Sequence, residues 1–155
     1  MKRIHLIFAG VLLSAATAAG AAAAPRTGAR AHAARATVVG VRSTALGKIL
    51  VNGSGHTLYM FTRDHGARNS CVAIRECPEA WPALETRGAP RAGVGVHASL
   101  LGTIRLRGGA RQVTYAGHPL YLYSVDAGPG ETSYVGERAF GGIWYALSAG
   151  GRTVR

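Results

Sequence analysis

From about residue 38 onward, short apolar runs alternate with glycine-rich breaks at the spacing of β-strands. KILVN (48–52) and HTLYMFT (56–62) flank the break GSG, while RQVTY (111–115) and HPLYLYS (118–124) flank Ala116-Gly117. Each pair predicts a hairpin, with Pro119 placed where its missing N–H faces no partner. In the second arm of the first hairpin, Tyr59 and Phe61 share one face and Leu58 and Met60 the other, because side chains alternate across a strand. Tyr121 and Tyr123 against Leu120 and Leu122 repeat that arrangement. Strands apolar on both faces belong in the interior of layered sheets. Further on, CPEAWPAL (77–84) predicts a brief helix opened by Pro78 and stopped by Pro82, and GGIWYALS (141–148) predicts a strand after a Gly-Gly break.

The two hairpins belong to an internal repeat. GHTLYMFTRDHG (55–66) and GHPLYLYSVDAG (117–128) agree at Gly, His, Leu, Tyr, Asp and the final Gly, at a constant offset of 62. Downstream, WPAL (81–84) answers WYAL (144–147) at 63, and upstream LGKI (46–49) answers LGTI (101–104) at 55. A repeat of this length is one supersecondary unit that cannot bury its own apolar face, so the copies must pack together. The expected fold is mainly β: two pseudo-repeats of antiparallel hairpins, about 38–85 and 98–150, packed as a small sandwich or barrel-like single domain over 38–155, with one short helix after the cysteine loop.

The first 24 residues place Lys2 and Arg3 before an apolar run that fades into alanines, the layout of a cleaved secretory signal peptide. Residues 25–37 hold Arg, Ala, Gly, Thr and Pro without apolar periodicity and read as a flexible basic linker. The expected destination is the periplasm or the extracellular space. No cysteine stands near the leader to carry a lipid, and no transmembrane helix is expected after processing.

The formal charge of +11 falls to +9 once Lys2 and Arg3 are removed. Such a field attracts anions, so an anionic envelope polymer or lipid headgroups are the candidate partners, although charge alone carries no recognition geometry. In an oxidising compartment the only cysteines, Cys71 and Cys77, most simply form a disulfide; their spacing fits neither a Cys-x-x-Cys thiol motif nor a usual zinc knuckle. Trp81 and Trp144, flanked by apolar residues, are expected in the core. Asp64 and Asp126 each end a cassette near a glycine, where a carboxylate commonly organises a turn; the alternative is a hydrogen bond from a tyrosine hydroxyl.

Catalytic signals are few. The chain has no Gly-x-Ser-x-Gly, His-Glu-x-x-His or Walker sequence, and GVGVHA (93–98) reads as a linker between the repeats. His56, His65 and His118 are the metal candidates, and their spacing does not require a site. No cofactor and no enzymatic activity are expected.

The cassettes resemble the bacterial secreted repeats of unknown function, predicted lipoproteins that share a Y-x-(F/W/Y)-x-x-D motif. That motif falls on Tyr59, Phe61 and Asp64, and again on Tyr121, Tyr123 and Asp126. The resemblance implies an exported module without naming its task, and leaves two functional classes: a non-enzymatic binding module of the envelope or secreted fraction, or a redox or metal-handling accessory.

Overall fold

The computed structural model describes residues 36–66 and 68–155. The expected signal peptide and all but the last two residues of the expected linker lie outside the described residues. The strands are β1 (Val38–Thr44), β2 (Gly47–Asn52), β3 (Tyr59–Phe61), β4 (Glu85–Thr86), β5 (Arg91–Ala92), β6 (Leu101–Arg105), β7 (Arg111–Tyr115), β8 (His118–Pro119), β9 (Arg138–Ala139), β10 (Gly142–Leu147) and β11 (Thr153–Val154). One short helix, α1 (Cys77–Ala80), begins at the second cysteine. The fold is mainly β, as the repeat pattern predicts, and its strands form three sheets, ordered β2-β1-β5, β11-β10-β3 and β4-β7-β6, with β9 on β10 and β8 on β7. No barrel closes among the described residues, because β5, β6 and β11 remain at sheet edges. One pairing is parallel, β5 on β1.

Each hairpin is set by its turn. Ala116 (φ 48°) and Gly117 (φ 81°) both take positive φ between β7 and β8, the backbone that a two-residue hairpin with right-handed twist requires. In the first copy Asn52 does the equivalent work with its side chain, its Oδ1 accepting the Ser54 and His56 N–H groups at 2.9 and 3.0 Å.

The register corrects one of the repeat alignments. Val41 pairs Leu50 across β1–β2, and Thr103 pairs Val113 across β6–β7, so β6 is the counterpart of β1 at the cassette's own offset of 62. Leu46-Gly47 sits at the β1–β2 turn and is not equivalent to Leu101-Gly102, which opens β6 opposite Tyr115 and Thr114 of β7. The similarity of LGKI and LGTI reflects composition. A longer β6–β7 loop, closed by Leu106 N–H on Ala110 O at 2.8 Å, accounts for the step in offset between strands.

Strict alternation along the cassettes separates two cores. Leu58, Met60 and Leu120 join Val39, Leu50, Leu84, Val113, Tyr115 and Leu147 in an aliphatic cluster. Tyr59, Phe61 and Tyr121 join Trp81, Trp144, Cys71 and Cys77 in an aromatic one. The two-faced apolar strands of the sequence thus feed one core from each face.

Candidate functional site

The repeats meet where Tyr59 and Tyr121 exchange both backbone hydrogen bonds, each N–H reaching the other's carbonyl at 2.9 Å. These residues are equivalent, so the contact is an internal pseudo-two-fold. Each cassette is then flanked by the tryptophan segment of the opposite repeat: β10 pairs β3, with Trp144 opposite Phe61, while Leu84 and Leu122 N–H groups bond Leu120 O and Pro82 O at 2.9 Å. The strands are exchanged between copies, which is why neither copy closes a core alone.

The side chains obey the same symmetry. Trp81 and Trp144 stack on each other at 3.8 Å, interplanar 2°. Phe61 covers the far face of Trp144 at 4.1 Å and Tyr123 the far face of Trp81 at 4.2 Å. Tyr59 meets Trp81 edge-on and Tyr121 meets Trp144 edge-on, both at 5.1 Å, the geometry that ring quadrupoles favour. The Trp144 indole N–H is buried without a hydrogen-bond acceptor among the described residues. A disulfide joins Cys71 and Cys77 against this cluster.

Tyr121 Oη donates to Asp64 Oδ2 at 2.8 Å, and Tyr59 Oη reaches both oxygens of Asp126 at 3.2 Å. Each tyrosine therefore bonds the aspartate of the other copy. Asp64 also holds the loop that follows it, its Oδ1 accepting Ser70 N–H at 2.7 Å. Burial, followed by the facing carboxylate, drives both tyrosine pKa values far up. Burial also raises Asp64, against its hydrogen bonds from Ser70 and Tyr121. Asp126 is pushed up to about 6, again mainly by burial, with the Tyr59 bond opposing and the Glu131 charge adding. His118 and His56 lie near enough to lower Asp64 and Asp126 respectively, while His65 is exposed. Among the described residues no group of three or more His, Cys, Asp or Glu side chains converges as metal ligands would.

The sequence reading missed a second feature, the arginines around β6. Arg68, Arg105 and Arg107, with Asn69, line a surface depression of about 180 Å³. Only one side-chain ion pair, Arg75 with Glu76, occurs among the described residues, so none of these arginines is paired with a carboxylate. Asn69 is held by the buried Gln112, whose Oε1 accepts Asn69 Nδ2 and whose Nε2 donates to Leu120 O, both at 2.9 Å.

Two copies of one family model, described as a secreted repeat of unknown function, match residues 40–85 and 102–148. The chain belongs to this family of secreted repeats. The matched segments begin at Gly40 and Gly102, the same offset of 62 that the strand register gives. No curated protein and no solved structure matches the chain. No helix among the described residues is long and apolar enough to cross a membrane.

Proposed function

We propose that the chain is an exported, non-enzymatic repeat module of the bacterial envelope or secreted fraction that holds an anionic partner on the arginine-lined side of its second repeat. The Tyr–Asp pairs and the aromatic stack build the scaffold, and the surface chemistry lies outside them. The observation that carries this reading is the convergence of Arg68, Arg105 and Arg107 on one depression without a paired carboxylate. Guanidiniums present fixed forks of N–H donors suited to carboxylate or phosphate oxygens. The competing class, a redox or metal-handling accessory, is less well supported, since Cys71 and Cys77 are joined and offer neither a thiol nucleophile nor a thiolate ligand.

The test is titration of the protein with inorganic polyphosphate and with vesicles containing anionic lipid, at about 0.15 M salt, where diffuse surface attraction is largely screened. Binding that persists there, and weakens about tenfold or more in the Arg105→Ser/Arg107→Ser variant but not in Lys48→Ser, supports the reading. Loss of all binding at that salt, or equal effects of the two variants, refutes it.

A further inference from the structure

The internal symmetry leaves the outer edge of β6 unfilled. In the first repeat the outer edge of β1 is covered by the segment that follows that repeat: Arg91 N–H bonds Thr37 O at 2.9 Å and Gly93 N–H bonds Val39 O at 2.7 Å, in parallel alignment. The counterpart of β1 is β6, and the counterpart of Val39 is Leu101. The segment that would cover β6 by the same rule is Thr153–Val154, but it pairs β10 instead, Val154 opposite Ala146. β6 is thus left at the edge of its sheet.

Its backbone polarity can be read from the flanking bonds. Ala116 N–H bonds Leu100 O and Leu106 N–H bonds Ala110 O, both at 2.8 Å, so by antiparallel alternation Gly102 and Ile104 exchange bonds with β7. The C=O of Leu101, and the N–H and C=O of Thr103 and Arg105, turn the other way. None of these groups has a hydrogen-bond partner among the described residues; the Leu101 N–H is used locally, on Ala98 O. An unpaired row of this kind is a template for an added strand.

Charge chooses the occupant. The far end of β6 carries Arg105, with Arg107 and Arg68 beside it, and β6 itself holds no carboxylate, so the same strand of a second copy would bring them no counter-charge. The chain's own segment before β1 is also basic, with Arg26, Arg30 and Arg35. We infer that the outer edge of β6 receives an extended acidic polypeptide strand, aligned parallel to β6 as Arg91–Gly93 is to β1, with carboxylates reaching Arg105 and Arg107. This rests on the anionic-partner reading for its charge and on the strand register for its geometry. It also sets a size rule. A Cβ at Gly93 would lie 3.0 Å from Val39 O and 3.3 Å from Gly40 Cα; Leu101 and Gly102 present the same backbone to the added strand, which therefore needs glycine at the matching place.

The probe is a synthetic copy of residues 90–96 carrying Arg91→Glu, Val94→Glu and Val96→Glu, added to the full chain at about 0.15 M salt. Two N-methylated forms of it keep the charge unchanged. Methylation at Gly93 and Gly95 removes the donors that would reach Leu101 O and Thr103 O; methylation at positions 92 and 94 touches the opposite side. The expected result is binding of the parent and of the second form, about tenfold or greater weakening of the first, and slowed amide hydrogen exchange at Thr103 and Arg105 with Val39 unchanged. Equal binding of both methylated forms, or polyphosphate binding without peptide binding, overturns strand addition while leaving the anionic reading standing. Self-association of the chain that occupies the same amides without peptide would make the occupant a second copy and likewise overturn it. If neither peptide nor polyphosphate binds, both readings fall.

Discussion

The exchange of Tyr–Asp partners between copies makes a quantitative prediction about two chemically identical substitutions. Tyr121→Phe deletes a 2.8 Å bond to Asp64, a half-buried carboxylate whose other oxygen is already committed to Ser70. A hydrogen bond to a charged group contributes about 1.5–3 kcal/mol net, and the buried ring is retained, so the expected loss is about 2 kcal/mol near pH 7. Tyr59→Phe deletes a longer contact, split over two oxygens at 3.2 Å each, and water can take its place at the half-exposed Asp126. Its expected loss is about 1 kcal/mol. Urea titration should show both as lower midpoints with unchanged slope. For a folded region of this length each kcal/mol corresponds to a fall of about 4 °C in Tm. A double-mutant cycle then asks where the coupling runs. Tyr121→Phe combined with Asp64→Ala should show an interaction energy of about 1.5 kcal/mol, whereas Tyr121→Phe combined with Asp126→Ala should be additive within about 0.5 kcal/mol. Coupling within a repeat instead of across it, or a larger loss for Tyr59→Phe than for Tyr121→Phe, would refute the exchanged arrangement.

Other expectations follow from the same packing. Gly142→Ala places a Cβ well inside van der Waals contact of Phe61 Cε2, and Phe61 cannot retreat because Trp144 is stacked on it; destabilisation of about 2 kcal/mol, with an altered near-UV circular dichroism spectrum, is the expected outcome. Replacing both cysteines by alanine releases a loop with a sequence separation of 6, which on the chain-entropy account lowers stability by about 2 kcal/mol, read from the urea midpoint. In pH titration the fold should be most stable in mild acid. Asp126 holds its proton to about 6 against an ordinary value of 3.8, and Asp64 shifts in the same direction, so the unfolded chain deprotonates first and stability declines as pH rises from about 4 to 6. Asp126→Asn should flatten that decline. A second loss should begin above 10.0, the ordinary tyrosine value, because Tyr59 and Tyr121 resist ionisation only in the fold; a flat profile over both ranges would contradict the burial of these groups.

Much of this architecture is written in local sequence, because hairpin turns and two-residue alternation are local physics. GSG and Ala116-Gly117 mark the turns, and the alternation of Leu58 and Met60 with Tyr59 and Phe61 already separates the two cores before any packing is known. Trp81 and Trp144 are both buried, and an indole between apolar neighbours has few stable positions outside a core. The exchange of partners is not local. The sequence shows that Tyr and Asp recur with one offset, but a tyrosine five residues before an aspartate can reach that aspartate or its equivalent, and only the antiparallel Tyr59–Tyr121 contact decides. The misaligned LGKI and LGTI fail for a related reason. A four-residue match carries less information than a strand register, and a change of one residue in a hairpin loop shifts everything beyond it. The arginine-lined depression was illegible because its members come from a loop before Cys71 and a strand more than thirty residues later.

A repeated scaffold offers a way to separate structure from function: what both copies share is needed to fold, and what one copy has alone is free to serve something else. The stack, the Tyr–Asp bonds and the hairpins are shared. The departures are not scattered evenly. Gln112 stands where the first repeat has Ile49, and it spends its buried amide on Asn69 and Leu120, although an aliphatic side chain at that place fills the core of the other copy. Burying an amide costs free energy unless its hydrogen bonds are met, and here they are met by fixing Asn69, the neighbour of Arg68. The disulfide, present in one repeat only, anchors the other end of the same loop at Cys71. The uncovered edge of β6 and its arginines lie on this side as well. Three asymmetries, each dispensable to a fold that its other half achieves without them, converge on one loop and one strand edge. That coincidence supports β6 as the place of the proposed partner and argues against the symmetric aromatic interior as the site of action.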